Sequence, residues 1–173
     1  KESFGATEDT MVALCSAPGR TEICGNHTDH QHGRVLAAAV NLDFLACVAL
    51  NGTSVVHFQS EGWSMTSVDL ADLEVKEEEK ETTASLIRGV LAKLHKAGYP
   101  VAGFDMYVTS TVLPGSGLSS SAACEVLIGT TGNHLFCQDK FDAVEIAKIG
   151  QAAENEYFGK PCGLMDQTAS SVG

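Results

Sequence analysis

The chain has 173 residues and a net charge of −11, because 22 acidic residues oppose 11 basic ones. This acidic balance opposes nonspecific binding to nucleic acid and to anionic membranes, so neither is expected as a partner. No apolar run approaches the roughly 20 residues that span a bilayer, and we expect a cytoplasmic protein with one well-packed domain. The six cysteines show neither metal-ligand nor disulfide spacing and are expected to be reduced.

The beginning of the chain has the short apolar runs that are typical of β-strands. Lys1 stands where an initiating Met is expected, so we expect further sequence upstream. Residues 12–17 form an apolar run, and we expect a strand that ends at the turn Pro18-Gly19. Residues 35–40 form a second run of small apolar side chains. These runs predict a β-rich sheet or barrel.

The pair Asn51-Gly52 separates two further apolar segments, residues 44–50 and 54–59. Asn-Gly between two such segments is a strong signal for a β-hairpin, because both residues accept the positive φ of a tight turn. We therefore expect these two strands to pair directly. Residues 63–70 are expected to contribute one more strand.

The middle of the chain contains a charged segment, a helix and a strand. Residues 74–81 contain five glutamates and are expected to be a solvated surface loop without function. Residues 83–97 place apolar side chains at helical spacing, and Gly98 ends the predicted helix. Residues 104–111 alternate apolar and polar side chains, which predicts a strand.

Two more helices are predicted toward the end of the chain. Asp139 is expected to cap a helix that continues to about Tyr157, because apolar residues recur along it at helical spacing. Residues 159–163 contain two glycines and a proline, which break this helix. A last helix is expected to begin at Leu164.

Residues 113–123 have the composition of a phosphate-binding loop. Two glycines within three residues precede three successive serines, and a predicted helix follows. The N-terminus of a helix behind a glycine turn attracts anions through its free N–H groups and its dipole. The segment is neither a Walker loop nor a Rossmann fingerprint, and a flexible Gly/Ser loop has the same composition. In so acidic a chain, a bound phosphate would need local neutralisation.

A second polar cluster lies within residues 20–29, where Arg20, Asn26, His27 and Asp29 supply a cation, an amide, an imidazole and a carboxylate. Such a mixture suits hydrogen bonding to a polyol, because each hydroxyl both donates and accepts. The nearby histidines at positions 30 and 32 are expected to be merely exposed. Two carboxylates further along, Glu154 and Asp166, are unremarkable by their spacing alone and are typical of surface residues.

Three segments taken together resemble a known enzyme family. Residues 17–29 (APGRTEICGNHTD) resemble the galactokinase signature, and residues 114–122 (PGSGLSSSA) resemble the ATP-binding motif of the GHMP kinase superfamily. Residues 162–167 (CGLMDQ) are similar to the galactokinase segment that holds its catalytic aspartate. The three segments follow the family's order, and the resemblance extends over nearly all of the chain.

The resemblance implies an α/β (α+β) fold, in which a mixed β-sheet has helices packed on one side, like the second domain of a ribosomal protein. Residues 1–173 would form one N-terminal GHMP kinase domain. Family members continue into a C-terminal domain of comparable length, so that domain is implied as a partner. Without it, the resemblance implies that the fragment alone lacks about half of the enclosure of the site. The oligomeric state is left open.

The resemblance also implies roles for single residues on the sugar side. Asp166 would be the catalytic aspartate, which removes the proton of the sugar's anomeric hydroxyl or holds that hydroxyl. Arg20 would face the same hydroxyl. The sugar-binding residues implied in this way are Asn26, His27, Asp29 and Gly163.

On the nucleotide side, the resemblance implies ATP and Mg²⁺ as cofactors. Ser121 and Glu154 would form the environment of the Mg²⁺ ion, since hard oxygen atoms are the ligands that it prefers. The residues implied to bind ATP are Pro114, Gly115, Ser116, Gly117, Leu118, Ser119, Ser120 and Ser121.

The function implied is that of an ATP-dependent sugar 1-kinase acting on galactose or a related sugar. One departure from the family concerns the sugar: Asn26 stands where galactokinases usually have a glutamate. An amide donates as well as accepts, so a different preference among sugars is an alternative, for example N-acetylgalactosamine, arabinose or a uronic acid. A regulator that binds sugar and ATP without turnover is another alternative.

Overall fold

The structure is a computed structural model that describes residues 4–5 and 7–173, and the expectation about Lys1 lies outside these residues. Within the described part, five strands form one mixed sheet in the order β1-β2-β5-β3-β4, in which β3 and β5 are parallel and the other neighbours are antiparallel. The strands are β1 (Ala13–Cys24), β2 (Leu36–Leu50), β3 (Val55–Ser60), β4 (Thr66–Asp69) and β5 (Phe104–Ser110). The helices are α1 (Thr83–Lys96), α2 (Ser120–Cys137), α3 (Ala143–Ala153) and α4 (Met165–Val172).

The hydrophobic core lies between one face of the sheet and the helices. Val48 and Met106 point from neighbouring strands toward Leu91 of α1 and Leu127 of α2, and all four side chains are buried. This arrangement confirms the expected mixed sheet with helices on one side. All six cysteines are free. Among the described residues no helix is long and apolar enough to cross a membrane.

The strand β1 does not end at Pro18-Gly19, so that prediction was wrong. The strand continues through them with an irregularity in its pairing to β2 between Pro18 and Arg20. Because β1 lies at the edge of the sheet, a proline without an N–H group is tolerated there, and a bulge lets the chain bend without ending the ladder. The two apolar runs at 35–40 and 44–50 likewise belong to the single long strand β2.

The predicted hairpin at Asn51-Gly52 was also wrong, because β5 lies between β2 and β3. The side chain of Asn51 donates to the carbonyl of Val55 at 2.9 Å and to Asp105 Oδ1 at 2.8 Å. These bonds fix the connection to β5, which pairs with both strands. The Asn51-Gly52 pair correctly predicted that the chain reverses between β2 and β3. Which strands pair with each other is decided by contacts between distant parts of the chain.

The helices match their periodicity closely. The structure confirms α1 and its end before Gly98, whose φ is +95°, and α4 begins one residue after Leu164. The cap of α3 was assigned wrongly. Asp142, not Asp139, accepts a bond from the Glu145 N–H at 2.8 Å, and the Glu145 side chain accepts from the Asp142 N–H at 2.9 Å. This reciprocal capping box satisfies two free donors at once.

The glutamate-rich segment is only partly a solvated loop, so the expectation for residues 74–81 needs correction. Glu79 receives two bonds from the guanidinium of Arg88 on α1, from Nε and from Nη2, both at 2.7 Å. The Arg88 side chain is buried and also donates to the carbonyl oxygens of Asp69 and Asp72. The charged segment is therefore attached to the core by one buried arginine.

Candidate active site

Arg20 and Asp166 form the centre of the candidate site. Arg20 follows the irregularity in β1, and Asp166 lies in the first turn of α4. The Arg20 Nε donates to Asp166 Oδ1 at 2.6 Å, and Nη2 donates to Oδ2 at 2.7 Å. Such a parallel pair of charge-assisted bonds fixes both groups in one plane. The fold thus joins two residues that are 146 positions apart.

The segment before α2, residues 113–119, is called the glycine-serine loop and contacts the same ion pair. Arg20 Nη1 donates to the carbonyl oxygen of Gly117 at 2.7 Å, and the Arg20 backbone N–H donates to that of Leu118 at 3.0 Å. The hydroxyl of Ser119 donates to Asp166 Oδ2. The carboxylate of Asp166 therefore contacts both the arginine of β1 and the loop before α2.

These contacts keep Asp166 ionised. Burial alone would raise the pKa of Asp166, but hydrogen bonds from Arg20 and Ser119 outweigh it, and the charges of Arg20 and His27 act in the same direction. The pKa of this carboxyl consequently lies below its ordinary value. An ionised carboxylate in such a place can accept a hydrogen bond or a proton from an incoming hydroxyl.

The glycine-serine loop has the backbone geometry of an open turn. Gly115 and Gly117 have φ values of +74° and +77°, a region that glycine enters without strain. Ser119 precedes α2 with a φ of +56°, and its side chain makes no bond to the first turn of that helix. The Ser119 hydroxyl donates to Asp166 instead, so the first N–H groups of α2 have no cap from this side chain. Pro114, Gly115 and Ser116 are exposed at the tip.

The side chains of Ser121 and Glu154 are in contact at the first turn of α2. The Ser121 hydroxyl donates to Glu154 Oε1 at 3.1 Å, and Glu154 is only 3% exposed. Glu154 opens the π-helical turn Glu154–Phe158 that follows α3. Single π-turns occur frequently at functional sites. A hydroxyl oxygen and a carboxylate oxygen thus lie together next to the loop.

The polar loop after β1 is tied to α4 through Asp29. Its Oδ2 accepts the backbone N–H of Met165 at 2.9 Å. Gly163 lies against this carboxylate so closely that a Cβ there would collide with Asp29 Oδ2 and Cγ. At Gly25 a Cβ would meet the Arg34 carbonyl oxygen at 2.7 Å, and its φ is +117°. Gly163 lets the segment before α4 approach the loop, whereas Gly25 lets the two ends of the loop approach each other.

Asn26 and His27 both adopt left-handed backbone conformations, with φ values of 54° and 52°. Glu22 holds this turn: its carboxylate accepts the His27 N–H at 2.9 Å and lies 3.3 Å from the His27 Nε2. Asn26 is exposed. The histidines at positions 30 and 32 are exposed as expected.

A cavity of about 530 Å³ adjoins the glycine-serine loop on the side away from the polar loop. Its wall includes Ser120 and Ser121 of α2 and the aromatic side chains of Phe58 and Trp63. Trp63 is 66% exposed. The wall mixes apolar and polar side chains, and its volume is within the range of sites for small molecules.

Comparison with known proteins gives two family matches. Residues 85–173 match the GHMP kinases N terminal domain. Residues 1–50 match the galactokinase galactose-binding signature.

The chain belongs to the GHMP kinase family.

Two curated galactokinases are similar to this family member along most of the chain. The galactokinase of Clostridium tetani is 37% identical over 158 residues, which are 91% of this chain and 40% of that protein. The galactokinase of Streptomyces coelicolor is 34% identical over 171 residues, which are 99% of this chain and 43% of that protein. The chain thus spans less than half the length of these relatives.

Solved structures agree with this assignment. A crystal structure of Lactococcus lactis galactokinase complexed with galactose has a TM-score of 0.87 and 31% identity, covering 97% of this chain and 43% of that one. A crystal structure of mevalonate kinase has a TM-score of 0.70 at 18% identity, with 92% and 51% covered. The second likeness concerns the fold alone.

Within the GHMP kinase fold, the residues implied by the sequence fall into two groups. Arg20, Asp166 and Ser119 are in direct contact, and so are Ser121 and Glu154. Asn26 and the tip of the loop at residues 114–116 are exposed and lie outside these contacts.

Sequence reasoning missed two buried residues beside these groups, Glu125 and Gln167. Both are 0% exposed, and the Gln167 Nε2 donates to Glu125 Oε2 at 2.9 Å and to Glu154 Oε2 at 2.7 Å. Burial and the neighbouring charge of Glu154 raise the pKa of Glu125 well above its ordinary value. The signal was present in the sequence, because Glu125 is a carboxylate within an apolar helical run, where charged residues are rare unless paired.

The oxygen atoms of Ser121 and Glu154 fit a magnesium ion in chemistry, since both are hard ligands. The described residues contain no group of three or more His, Cys, Asp or Glu arranged to hold a metal ion. Mg²⁺ commonly takes one or two protein ligands and completes its shell with phosphate oxygens and water. The donor set therefore suits a cation that arrives with a nucleotide.

Proposed function

We propose that this chain is the N-terminal domain of a kinase that transfers the γ-phosphoryl group of ATP to the anomeric hydroxyl of galactose. The observation that carries the proposal is the contact of Asp166 with both Arg20 and Ser119. It unites a carboxylate for the acceptor hydroxyl with the loop that would hold the phosphates. The match to the galactokinase galactose-binding signature supports galactose as the acceptor.

On the sugar side, Asp166 faces the anomeric hydroxyl and accepts its hydrogen bond or its proton. The hydroxyl oxygen then forms a bond to the γ-phosphorus as the bond to the leaving oxygen of ADP breaks. Arg20 keeps Asp166 ionised and stabilises the negative charge that develops nearby. His27, Asp29, Asn26 and the Gly163 backbone bind the other sugar hydroxyls and orient the ring.

On the nucleotide side, residues 114–121 surround the phosphates, and backbone N–H groups at the start of α2 donate to them. The cavity beside Phe58 and Trp63 receives the nucleoside. Ser121 and Glu154 hold Mg²⁺, which neutralises phosphate charge when it is bound. Phosphoryl transfer depends mainly on positioning and charge neutralisation, and these groups supply both.

The site lies open on this domain, and we propose that a C-terminal domain of the same protein closes it. The support is that the chain spans 40% and 43% of the two curated galactokinases. Closure excludes water and strengthens the electrostatic interactions of the site, so residues 1–173 alone are expected to turn over slowly or not at all.

The full-length protein tests the function directly. With ATP, Mg²⁺ and galactose, it is expected to release ADP and to form a sugar phosphate at the anomeric carbon, as followed by a coupled ADP assay and ³¹P NMR. Calorimetry measures the binding of both ligands in parallel. Tight binding of both without any product would contradict the kinase and identify a regulator.

The exposed Asn26 makes the choice of sugar a separate question. We expect the ratio of kcat/KM between galactose and N-acetylgalactosamine, arabinose or galacturonate to change in Asn26→Glu, because the amide donor is replaced by an acceptor. The panel is measured on both proteins under the same conditions. An unchanged ratio would mean that Asn26 does not select the sugar.

A further inference from the structure

Two buried carboxylates share one amide beneath the first turn of α2. Glu125 on α2 and Glu154 after α3 are 0% and 3% exposed. The Nε2 of Gln167 on α4 donates one hydrogen bond to each of them, at 2.9 Å and 2.7 Å. Three elements of the fold therefore meet at a single side-chain amide.

This cluster is an unfavourable way to fill a protein core. Glu125 Oε1 and Gln167 Oε1 are buried without a hydrogen-bond partner. Buried carboxylates are normally paired with a cation, yet the amide that joins these two is neutral. A sequence that departs from core rules at one place commonly does so for function.

The geometry determines which oxygen of Glu154 faces the loop. Its Oε2 is held by Gln167, while its Oε1 accepts the hydroxyl of Ser121. A carboxylate bound at one oxygen cannot rotate freely, so the other oxygen keeps its direction toward Ser121.

The neighbours leave the amide little freedom. A Cβ at Gly150 on α3 would lie 3.2 Å from Gln167 Cγ and 3.3 Å from Glu125 Oε2, so α3 covers the pair closely. The amide nitrogen donates to both carboxyl groups, with Cys162 Sγ as a longer contact at 3.7 Å. Loss of either bond would leave one buried carboxyl oxygen without its donor. Gln167 also directly follows Asp166, so one turn of α4 supplies Arg20 with its partner and Glu154 with its donor.

We propose that Gln167 and Glu125 are positioning residues that direct Glu154 toward the cation of the nucleotide. Gln167 holds Glu154, Glu125 holds Gln167, and α4 links this arrangement to Asp166. The proposal rests on the proposed function, in which Ser121 and Glu154 hold a divalent cation. Partners behind a metal ligand typically change metal affinity or activity by about 10- to 100-fold when they are replaced.

The test measures Mn²⁺ binding to the full-length protein in the presence of ADP, with free Mn²⁺ followed by electron paramagnetic resonance. Gln167→Met and Glu125→Met keep the side-chain length and remove the donor or the acceptor. Each is expected to raise the Mn²⁺ dissociation constant by about tenfold while the ADP dissociation constant without metal stays unchanged. Glu125→Gln keeps an acceptor oxygen for Gln167 and is expected to retain most of the Mn²⁺ affinity of the unchanged protein.

Gln151→Met is the matched control, because this glutamine on α3 donates to the carbonyl oxygen of Cys162 at 3.3 Å instead of to a carboxylate. Its Mn²⁺ affinity is expected to equal that of the unchanged protein. Thermal melting checks that each variant folds, and if Gln167→Met does not fold, the two Glu125 variants decide.

Glu154→Gln separates the two ways in which the proposal can fail. If it weakens Mn²⁺ binding and the Gln167 and Glu125 variants do not, the positioning role is overturned and the cation site stands. If Glu154→Gln itself leaves Mn²⁺ binding unchanged, the cation site is overturned, and the positioning role falls with it.

Discussion

Arg20 uses all three nitrogens of its guanidinium group within the site. Nε and Nη2 donate to Asp166, and Nη1 donates to the Gly117 carbonyl. The residue is 5% exposed, so these bonds replace water almost completely. A lysine has one point charge on a flexible stem and cannot reproduce this planar fork. The side chain of one residue thereby fixes both the carboxylate and the loop.

Gly163→Ala tests the contact between the polar loop after β1, which carries Asp29, and the segment before α4. The new Cβ would collide with the Asp29 carboxylate and lie 2.8 Å from the His30 backbone nitrogen, so Asp29 must move. Displacement of a binding group by about 1 Å can cost about 100-fold. We expect the KM for galactose to rise at least about tenfold, with the KM for ATP unchanged. Gly52→Ala, in open space at the turn after β2, is the control for a glycine replacement, because any backbone strain from its φ of +71° lies outside the residues assigned to either ligand. A galactose KM in Gly163→Ala equal to that of the unchanged protein would mean that this contact does not position Asp29 for the sugar.

The sequence predicted which residues lie close together where a family motif contains them. It did not predict this where only the packing of helices brings them together. The proximity of Arg20 and Asp166 was expected through the resemblance, because both would face the same hydroxyl. The apolar run around Glu125 marked it as unusual, but its contact with Gln167 depends on the packing of α2 against α4, which no local pattern contains. Glu22 was missed because its bond to His27 depends on two left-handed residues.

At the scale of elements, the buried pair between Glu79 and Arg88 attaches the glutamate-rich turn to α1. The hydrogen bond from Arg88 lowers the pKa of Glu79 although burial opposes it. A carboxyl whose folded pKa is lowered stabilises the protein fully above its unfolded pKa, roughly 4.3, and loses that contribution as the pH falls through the folded pKa.

Glu79→Gln is therefore expected to lower the free energy of unfolding by about 2 kcal/mol at pH 7, because the charge of buried Arg88 loses its partner. The difference from the unchanged protein should shrink as the pH falls below the unfolded pKa of roughly 4.3 toward the lowered pKa of folded Glu79. Urea unfolding at pH 7 and at pH 3.5 measures the free energy of unfolding of the variant and of the unchanged protein. Glu78→Gln, on the exposed neighbour, should change stability by less than about 0.5 kcal/mol. A difference independent of pH would contradict the ion pair as its cause.

The elements differed in how well local sequence determined them. The helix α1 and the strand β5 followed their periodicity, since each buries one apolar face. The Asn51-Gly52 turn predicted the wrong strand pair, because β5 arrives from a distant part of the chain. Pro18 predicted a strand end, but at the edge of the sheet a proline interrupts little.

At the scale of the whole molecule, the site depends on contacts between parts of the chain that lie far apart. Arg20 comes from the edge strand β1, the loop precedes α2, and Asp166 lies in the first turn of α4. The protein carries a net charge of −11, so an ATP molecule is repelled at long range and must be held by groups within the site. In the proposed function, the N–H groups at the start of α2 and a cation at Ser121 and Glu154 would be such groups.

The most direct test of this account compares the full-length protein with its Asp166→Asn variant in the phosphorylation of galactose by ATP. The amide is neutral and a poor base, so we expect kcat to fall by about 10²- to 10⁴-fold. The dissociation constants of ATP and galactose, measured by calorimetry, should change less than about threefold, because the loop and the sugar contacts remain. Equal turnover in the two proteins would contradict the assignment of Asp166 to the acceptor hydroxyl.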